Sequence, residues 1–308
     1  MCKYLKVKVT KASMSKKISV VMSCRNHESF VEKSVLSILN QSYTNFEFLI
    51  FDDSSSDNTF DILHSLSKQD KRIKLFKNNR IIGLTKNLNT LINLCNSDII
   101  ARQDADDLST LDRFAEFIKI YRPEVPLYTS DFYLEQETGM STTNQSTIPS
   151  YVLFNFLFYF YFGSHGQIFF HKKLYNKHFR YCQDYEFCSD ILRSNFSNFY
   201  VIKQPLYVYK RHNNTIYCRH RNKQIYFSLI TAQTNIKHFL DINLNFSTIL
   251  ELRNMFLNNI RPTLDKNIIV PLITSMTQRF FRTVCVSDKE KHNINYLVNT
   301  SIKNSYEK

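Results

Sequence analysis

From Lys17 to Gln103 the chain alternates short apolar runs with stretches whose apolar residues recur at helical spacing, and this alternation most narrows what it can fold into. "ISVVMSC" predicts a buried strand, and "SFVEKSVLSILNQS" follows with Phe30, Val31, Val35, Ile38 and Leu39 on one helical face. "FEFLIFDDSSSDNT" predicts a second strand ending in an acidic, serine-rich turn, and "FDILHSLSKQ" the helix after it. "RIKLFKN" predicts a third strand, "LTKNLNTLINLC" a third helix and "DIIARQ" a fourth strand. Strands that alternate with helices of roughly 10 to 15 residues form a mainly parallel sheet with helices on both faces. An α/β fold is therefore expected, with any ligand beyond the carboxyl ends of the strands. Acidic residues stand at those ends: Asp52 and Asp53 after the second strand, Asp104, Asp106 and Asp107 after the fourth.

These clusters are conspicuous because the chain is basic, with a formal net charge of +13 over 308 residues. Such a charge favours an anionic partner, and nucleic acid, anionic lipid headgroups and phosphorylated substrates all qualify. The four glycines, Gly83, Gly139, Gly163 and Gly166, are too few and too scattered to write a dinucleotide-binding G-x-G-x-x-G turn or a phosphate-binding G-x-x-x-x-G-K-[ST] loop. Seven dispersed cysteines with no C-x-x-C pair argue against a disulfide framework and a zinc ribbon, and point to a reducing, cytoplasmic setting. The start, "MCKYLKVKVTKASMSKK", is basic and lacks the apolar core of a signal peptide. The longest apolar run, "YVLFNFLFYFYF" from Tyr151 to Phe162, is shorter than the about 20 residues needed to span a bilayer. It is expected to be a buried helix or the wall of a cleft.

Beyond Arg122 the pattern loosens into strands and loops, a second structured stretch runs to about Arg221, and Asn222 to Lys308 is helical and polar-basic in pattern. For that tail two readings stand side by side: packing on the rest of the chain, and contact with an anionic membrane surface.

A run of carboxylates is most often a solvated face. A D-x-D that follows an apolar strand, however, can offer oxygen ligands to Mg2+ or Mn2+ bound to a diphosphate. Asp52 and Asp53 have the ordinary duty of capping the next helix. Capping needs only one of them, and a carboxylate at a strand end can also accept the ring N–H of uracil.

"ISVVMSCRNHESFVEKSVLSILNQSYTNFEFLIFDDSSSDNT", "NNRIIGLTKNLN", "IIARQDADDLS", "HGQIFFHKKLY", "YCQDYEFCSDILR" and "PLYVYKRHNNTI" occur in that order. In this order the segments resemble family 2 glycosyltransferases of the GT-A fold, over about Lys17 to His220. The resemblance implies a mainly parallel mixed sheet flanked by helices, and inverting transfer of a sugar from a nucleoside diphosphate to a hydroxyl with Mn2+ or Mg2+. It implies that Ser23 and Asp53 line the nucleobase pocket, that Asp104 contacts the ribose or diphosphate, and that Asp106 is the metal ligand. Asp184 matches the presumed general base, preceded here by Gln183 where the family has Glu, and His212 matches a basic motif that closes over the diphosphate. Arg25 stands where an aromatic often stacks on the base, which a guanidinium can also do. Leu88 is aligned where many members carry Arg, with Lys86 supplying the charge.

The implied organisation is a basic extension at 1–16, a catalytic domain at 17–221 and a helical region at 222–308. Within the catalytic domain, 17–122 is the nucleotide-binding half and 123–221 the acceptor-binding half. The absence of Trp excludes the Q-x-x-R-W motif of processive synthases in this family, which favours transfer of a single sugar. The expected partners are a nucleoside-diphosphate sugar, a UDP-sugar in first place, and a glycan or lipid-linked oligosaccharide acceptor, with no nucleic acid. A cytoplasmic protein, peripheral on the inner face of the membrane and acting in surface-glycan synthesis, follows. The competing classes are a basic nucleic-acid or membrane-surface binder, which leaves the acidic motifs unexplained, and a nucleotidyltransferase, whose glycine-rich loop is missing. A zinc site built from His171, His178, Cys182 and Cys188 is disfavoured by its irregular spacing.

Overall fold

The computed structural model describes residues 16–174, 182–194, 199–211, 220–284 and 286–306. The alternation seen in the sequence becomes β1 (Ile18–Cys24), α1 (Val31–Leu39), β2 (Phe46–Asp52), α2 (Thr59–Gln69), β3 (Ile73–Lys77), α3 (Leu84–Leu94) and β4 (Ile99–Arg102). Then come β5 (Leu108–Ser109), α4 (Arg113–Ile120), β6 (Leu127–Gln136), β7 (Gly139–Thr142), α5 (Pro149–Phe156), β8 (Phe169–His171), α6 (Gln183–Ser194) and β9 (Phe199–Lys210). Four helices complete the chain: α7 (Arg221–Leu240), α8 (Phe246–Asn258), α9 (Lys266–Thr283) and α10 (Asp288–Tyr306). Among the described residues none of these helices is long and apolar enough to cross a membrane.

Among the described residues the strands form one mixed sheet in the order β3-β2-β1-β4-β8-β6-β9-β5, with β7 paired to β6. β1, β2, β3 and β4 run parallel, with Cys24 opposite Asp52 and Val21 opposite Arg102, whereas β8 is antiparallel to β4. The carboxyl ends of four consecutive parallel strands therefore lie along one edge, and Ser23, Asp53, Asn78 and Asp104 stand at or just past them. Period-two alternation sends Ile18, Val20 and Met22 of β1 and Phe46, Phe48 and Ile50 of β2 into one core with Val35 of α1, Leu63 of α2 and Phe114 of α4. The intervening Val21 and Leu49 are equally buried on the other face, where α3 packs on β1 and β2.

The chain groups into two compact units. The first takes the described residues within Met1–Gln145, Ser164–His178 and Tyr200–His212; the second takes those within Ser146–Gly163, Phe179–Phe199 and Asn213–Lys308. In the second, the apolar run begins as α5, and Val152, Leu153, Phe154, Phe156, Leu157, Phe158 and Phe162 are all buried. It is a core segment, as its pattern predicts. Phe154 meets Phe256 and Phe280 edge-on, and Phe158 stacks on Phe256, so α5 shares its aromatic core with α8 and α9.

Candidate active site

At the end of β4 the parallel ladder runs one residue further, through the Gln103 N–H to Val21 O at 3.2 Å, before the chain turns. Ala105 is the apolar anchor of that turn, 3% exposed within the core. The polar residues on either side of it, Asp104 and Asp106, stay partly exposed, while Asp107 is buried. Asp104 is paired through Oδ1 with Arg102 Nη2 at 2.6 Å, and its backbone N–H donates to Tyr207 Oη at 3.2 Å. Asp107 accepts the Lys210 N–H at 2.8 Å. Burial, followed by the charges of Asp106 and Asp104, still pushes its carboxyl well above the usual carboxylate range.

Behind the turn lies Arg113, whose guanidinium donates to Gln103 Oε1, Ser109 Oγ, Arg102 O and Gly166 O and faces the rings of Phe169 and Tyr207. Burial draws its pKa down to about 10, so it remains a cation at neutral pH. Gly166 is required here for close approach, since a Cβ would fall 1.9 Å from Tyr207 Oη and 2.8 Å from Asp104 Oδ2.

The donor set fits a hard divalent cation. It offers the partly exposed carboxylates of Asp104 and Asp106 at one turn beside the buried Asp107, oxygen donors of the kind that hold Mg2+ or Mn2+, and a cation relieves the repulsion between such neighbouring charges. Among the described residues no three His, Cys, Asp or Glu side chains form a metal cage. A Mg2+ or Mn2+ site of one or two carboxylates completed by substrate phosphates needs no such cage. His178, one member of the disfavoured zinc set, lies outside the described residues.

At the ends of β1, β2 and β3 the predicted nucleobase residues are joined by two asparagines that sequence reasoning missed. Asp53 is buried, with Oδ1 accepting from Asn78 Nδ2 and the Ile82 N–H and Oδ2 from the Gly83 N–H, all at 2.8 Å. Burial alone would raise its pKa. The Ile82 N–H, Asn87, Asn78 and the Gly83 N–H outweigh that and hold it below the usual value. Asn78 also donates to Asn87 Oδ1 at 2.8 Å, and Asn87 donates to Ser23 Oγ at 3.1 Å, so Ser23 and Asp53 belong to one network. Asp52 serves as the turn-former, its Oδ2 accepting the Ser55 N–H at 3.1 Å. Arg25 is exposed on the loop after β1, and Lys86 is exposed in the first turn of α3.

Leu88 is fully buried on the inner face of α3, and Lys86, the cation of that helix, is exposed two residues before it. For Arg102 a signal was present: a charged residue inside the apolar run "DIIAR" must be paired or strand-terminal. For Tyr207 and Arg113 none was, because their role depends on contacts between distant segments.

In the second unit Asp184 lies in the first turn of α6, which begins at Gln183 directly after Cys182 in the left-handed region (φ 55°). Its Oδ1 accepts the Tyr185 N–H at 2.8 Å. Tyr185, Phe187, Ile191 and Leu192 are buried beneath it, and the Tyr185 hydroxyl donates to Phe156 O at 2.6 Å. Glu186, the neighbouring carboxylate, is held by Arg193 at 2.9 Å. His212 lies outside the described residues.

Residues 19–179, which contain the whole edge from Ser23 to Asp107, match the Glycosyl transferase family 2 pattern. The chain belongs to glycosyl transferase family 2. It is similar to an uncharacterized glycosyltransferase of Haemophilus influenzae, 26% identical over 242 residues that span 73% of this chain and 74% of that protein. It is also similar to the UDP-Glc:alpha-D-GlcNAc-diphosphoundecaprenol beta-1,3-glucosyltransferase WfaP of Escherichia coli. That likeness is 30% identity over 121 residues, covering 39% of this chain and about half, 47%, of WfaP. Among solved structures, S. aureus TarS 1-349 in complex with UDP-GlcNAc shares the fold with a TM-score of 0.60 at 14% identity, over 94% of this chain and 89% of TarS. This family 2 glycosyltransferase therefore has the GT-A fold.

Proposed function

We propose that this glycosyltransferase moves one sugar from a UDP-sugar to a hydroxyl of a lipid-linked glycan, with inversion and with a divalent cation bound at the β4 turn. The observation that carries the reading is the turn Asp104-Ala105-Asp106-Asp107, a cluster of carboxylates at the end of a parallel strand in an otherwise basic chain. Asp106 is the proposed ligand of Mn2+ or Mg2+, and Asp104 contacts the ribose or diphosphate. A bound divalent cation supplies positive charge against the departing diphosphate. Lys86 and His212 add cationic groups to the same leaving group, Arg25 stacks on the base, and Ser23 and Asp53 read its edge. Asp184 takes the proton from the acceptor hydroxyl as that oxygen attacks the anomeric carbon from the face opposite the nucleotide.

The preference for uridine rests on the carboxylate of Asp53, which accepts the ring N–H of uracil but would meet an acceptor in cytosine. The lipid-linked acceptor is supported by the relative WfaP, whose name gives a diphosphoundecaprenol substrate. In this reading 17–122 bind the nucleotide, 123–221 the acceptor, and 222–308 form a helical region. The protein works on the cytoplasmic face of the membrane in surface-glycan synthesis. A panel of UDP-, GDP- and dTDP-sugars, screened with Mn2+ for binding and slow donor hydrolysis, tests it. A UDP-sugar bound and hydrolysed only with the metal is expected; CDP bound more tightly than UDP, or binding indifferent to EDTA, overturns the corresponding part.

A further inference from the structure

Two arginine side chains are fully buried in the first unit, and both lie under the acidic turn. Burying a guanidinium is costly unless its charge is paired and its donors are used. Arg102 pairs its charge and uses both Nη groups at one place, leaving only the buried Nε without a partner. Nη1 donates to Val21 O at 3.2 Å and Gln103 O at 2.7 Å, which ties β4 to β1 and to the start of the turn, while Nη2 is the ion-pair partner of Asp104. Tyr207 completes the frame from β9, its hydroxyl accepting from the Asp104 N–H at 3.2 Å.

We propose that Arg102 is a positioning residue for the nucleotide, a buried counter-charge that fixes the partly exposed Asp104 carboxylate through Oδ1 and lowers the net negative charge the turn presents to a diphosphate. This rests on the reading of the turn as the metal–diphosphate site. The substrate's leaving group is an anion, and three carboxylates without a counter-charge would attract the cation while repelling the nucleotide that must share it. Arg102 shifts that balance toward the nucleotide. Its planar fork also fixes Asp104 in one orientation, with the Tyr207 hydroxyl holding the Asp104 N–H.

This gives opposite signs for two binding events, which a merely structural arginine would not. In Arg102→Met, Mn2+ alone, followed by electron paramagnetic resonance, should bind at least as tightly as in wild type. UDP at saturating Mn2+, measured by calorimetry, should bind about tenfold more weakly or worse. Arg102→Lys keeps the charge and should recover most of the UDP affinity. Parallel loss of Mn2+ and UDP binding in Arg102→Met, with Arg102→Lys no better, would reduce Arg102 to a structural residue and overturn the proposal. Tyr207→Phe keeps the ring against Arg113 and decides the matter if Arg102→Met does not fold. A few-fold loss of UDP affinity with an unchanged melting temperature supports the frame, and unchanged UDP affinity overturns it. Wild-type protein that binds no UDP with Mn2+ overturns the functional reading and this inference together, whereas wild-type binding with indifferent variants overturns this inference alone.

Discussion

Asp184 and Glu186 stand two residues apart on one helix and meet different chemistry. Glu186 is committed to Arg193, which also reaches Asn235, so Glu186→Gln should cost about 1 to 2 kcal/mol of stability and leave transfer nearly intact. Asp184→Asn keeps the shape and removes the proton acceptor, so transfer to a verified acceptor should fall about 10²- to 10⁴-fold while UDP-sugar binding survives. Steady-state rates and thermal melts of the two variants check this, and a dead Glu186→Gln beside an active Asp184→Asn would reassign the base. Asp106→Asn should weaken UDP binding in Mn2+ by about tenfold or more and leave uridine binding within about twofold, since only the diphosphate shares the cation. Equal losses for UDP and uridine in calorimetry would place Asp106 elsewhere in the pocket. The acidic residues were legible because charge after an apolar strand is a local signal. Asn78, Asn87, Arg113 and Tyr207 were not, since each acts through a partner brought near by pairing of distant strands, as Tyr207 meets Asp104 across 103 positions.

At the scale of elements, β1 to β4 and α1 to α3 emerge where the apolar periodicity puts them, because each segment buries a face that its own spacing defines. Leu88, Leu91 and Ile92 of α3 are buried together, as their helical spacing puts them. What periodicity leaves open is what a charged residue does inside a strand. Glu47 on β2 is 2% exposed and receives Ser19 Oγ at 2.6 Å, Lys74 Nζ at 2.6 Å and the Asn96 N–H at 2.7 Å. Burial would raise its pKa, but Lys74, Ser19, the Asn96 N–H and Lys17 together hold it down at about 2, against 4.5 as the ordinary value. A folded-state pKa depressed in this way stabilises the protein above about pH 4.5, and the gain is lost as pH falls from there toward about 2. Its full size is on the order of 3 kcal/mol. Urea unfolding at pH 6 and pH 3 should show wild type losing part of this increment. Glu47→Gln should be weaker at pH 6 and lose less between the two. An equal acid loss in both proteins would mean that other carboxylates govern the acid limb.

For the whole molecule the instructive feature is how the sequence is shared between its two units. The helical pattern after Asn222 was legible, since α7 to α10 each carry their own apolar spacing. That Ser146–Gly163 and Phe179–Phe199 group with those helices was not, because no local pattern marks a contact across eighty positions. Asn235 on α7 shows the dependence. It is 1% exposed, donates to Phe156 O at 2.7 Å and Ser189 Oγ at 2.9 Å, and accepts from Arg193, thereby tying α7 to the end of α5 and to α6. Arg253 on α8 does the same for the chain after α5, donating from Nε to Phe158 O at 2.7 Å and from Nη1 to Ser228 Oγ on α7. The helix that carries Asp184 thus loses the Asn235 bonds to Ser189 and Arg193 without the C-terminal helices. Asn235→Ala leaves the Phe156 carbonyl with the Tyr185 hydroxyl alone and strands one Arg193 donor, and should cost about 2 kcal/mol in urea unfolding. Truncation before Arg221 should go further, exposing Phe154 and Phe158 where they now meet Phe256 and Phe280. The truncated chain is expected to bind a hydrophobic dye, aggregate on size-exclusion chromatography and lose transfer. A monomeric, dye-silent truncation that still transfers sugar would show that α5 and α6 hold Asp184 in place by themselves.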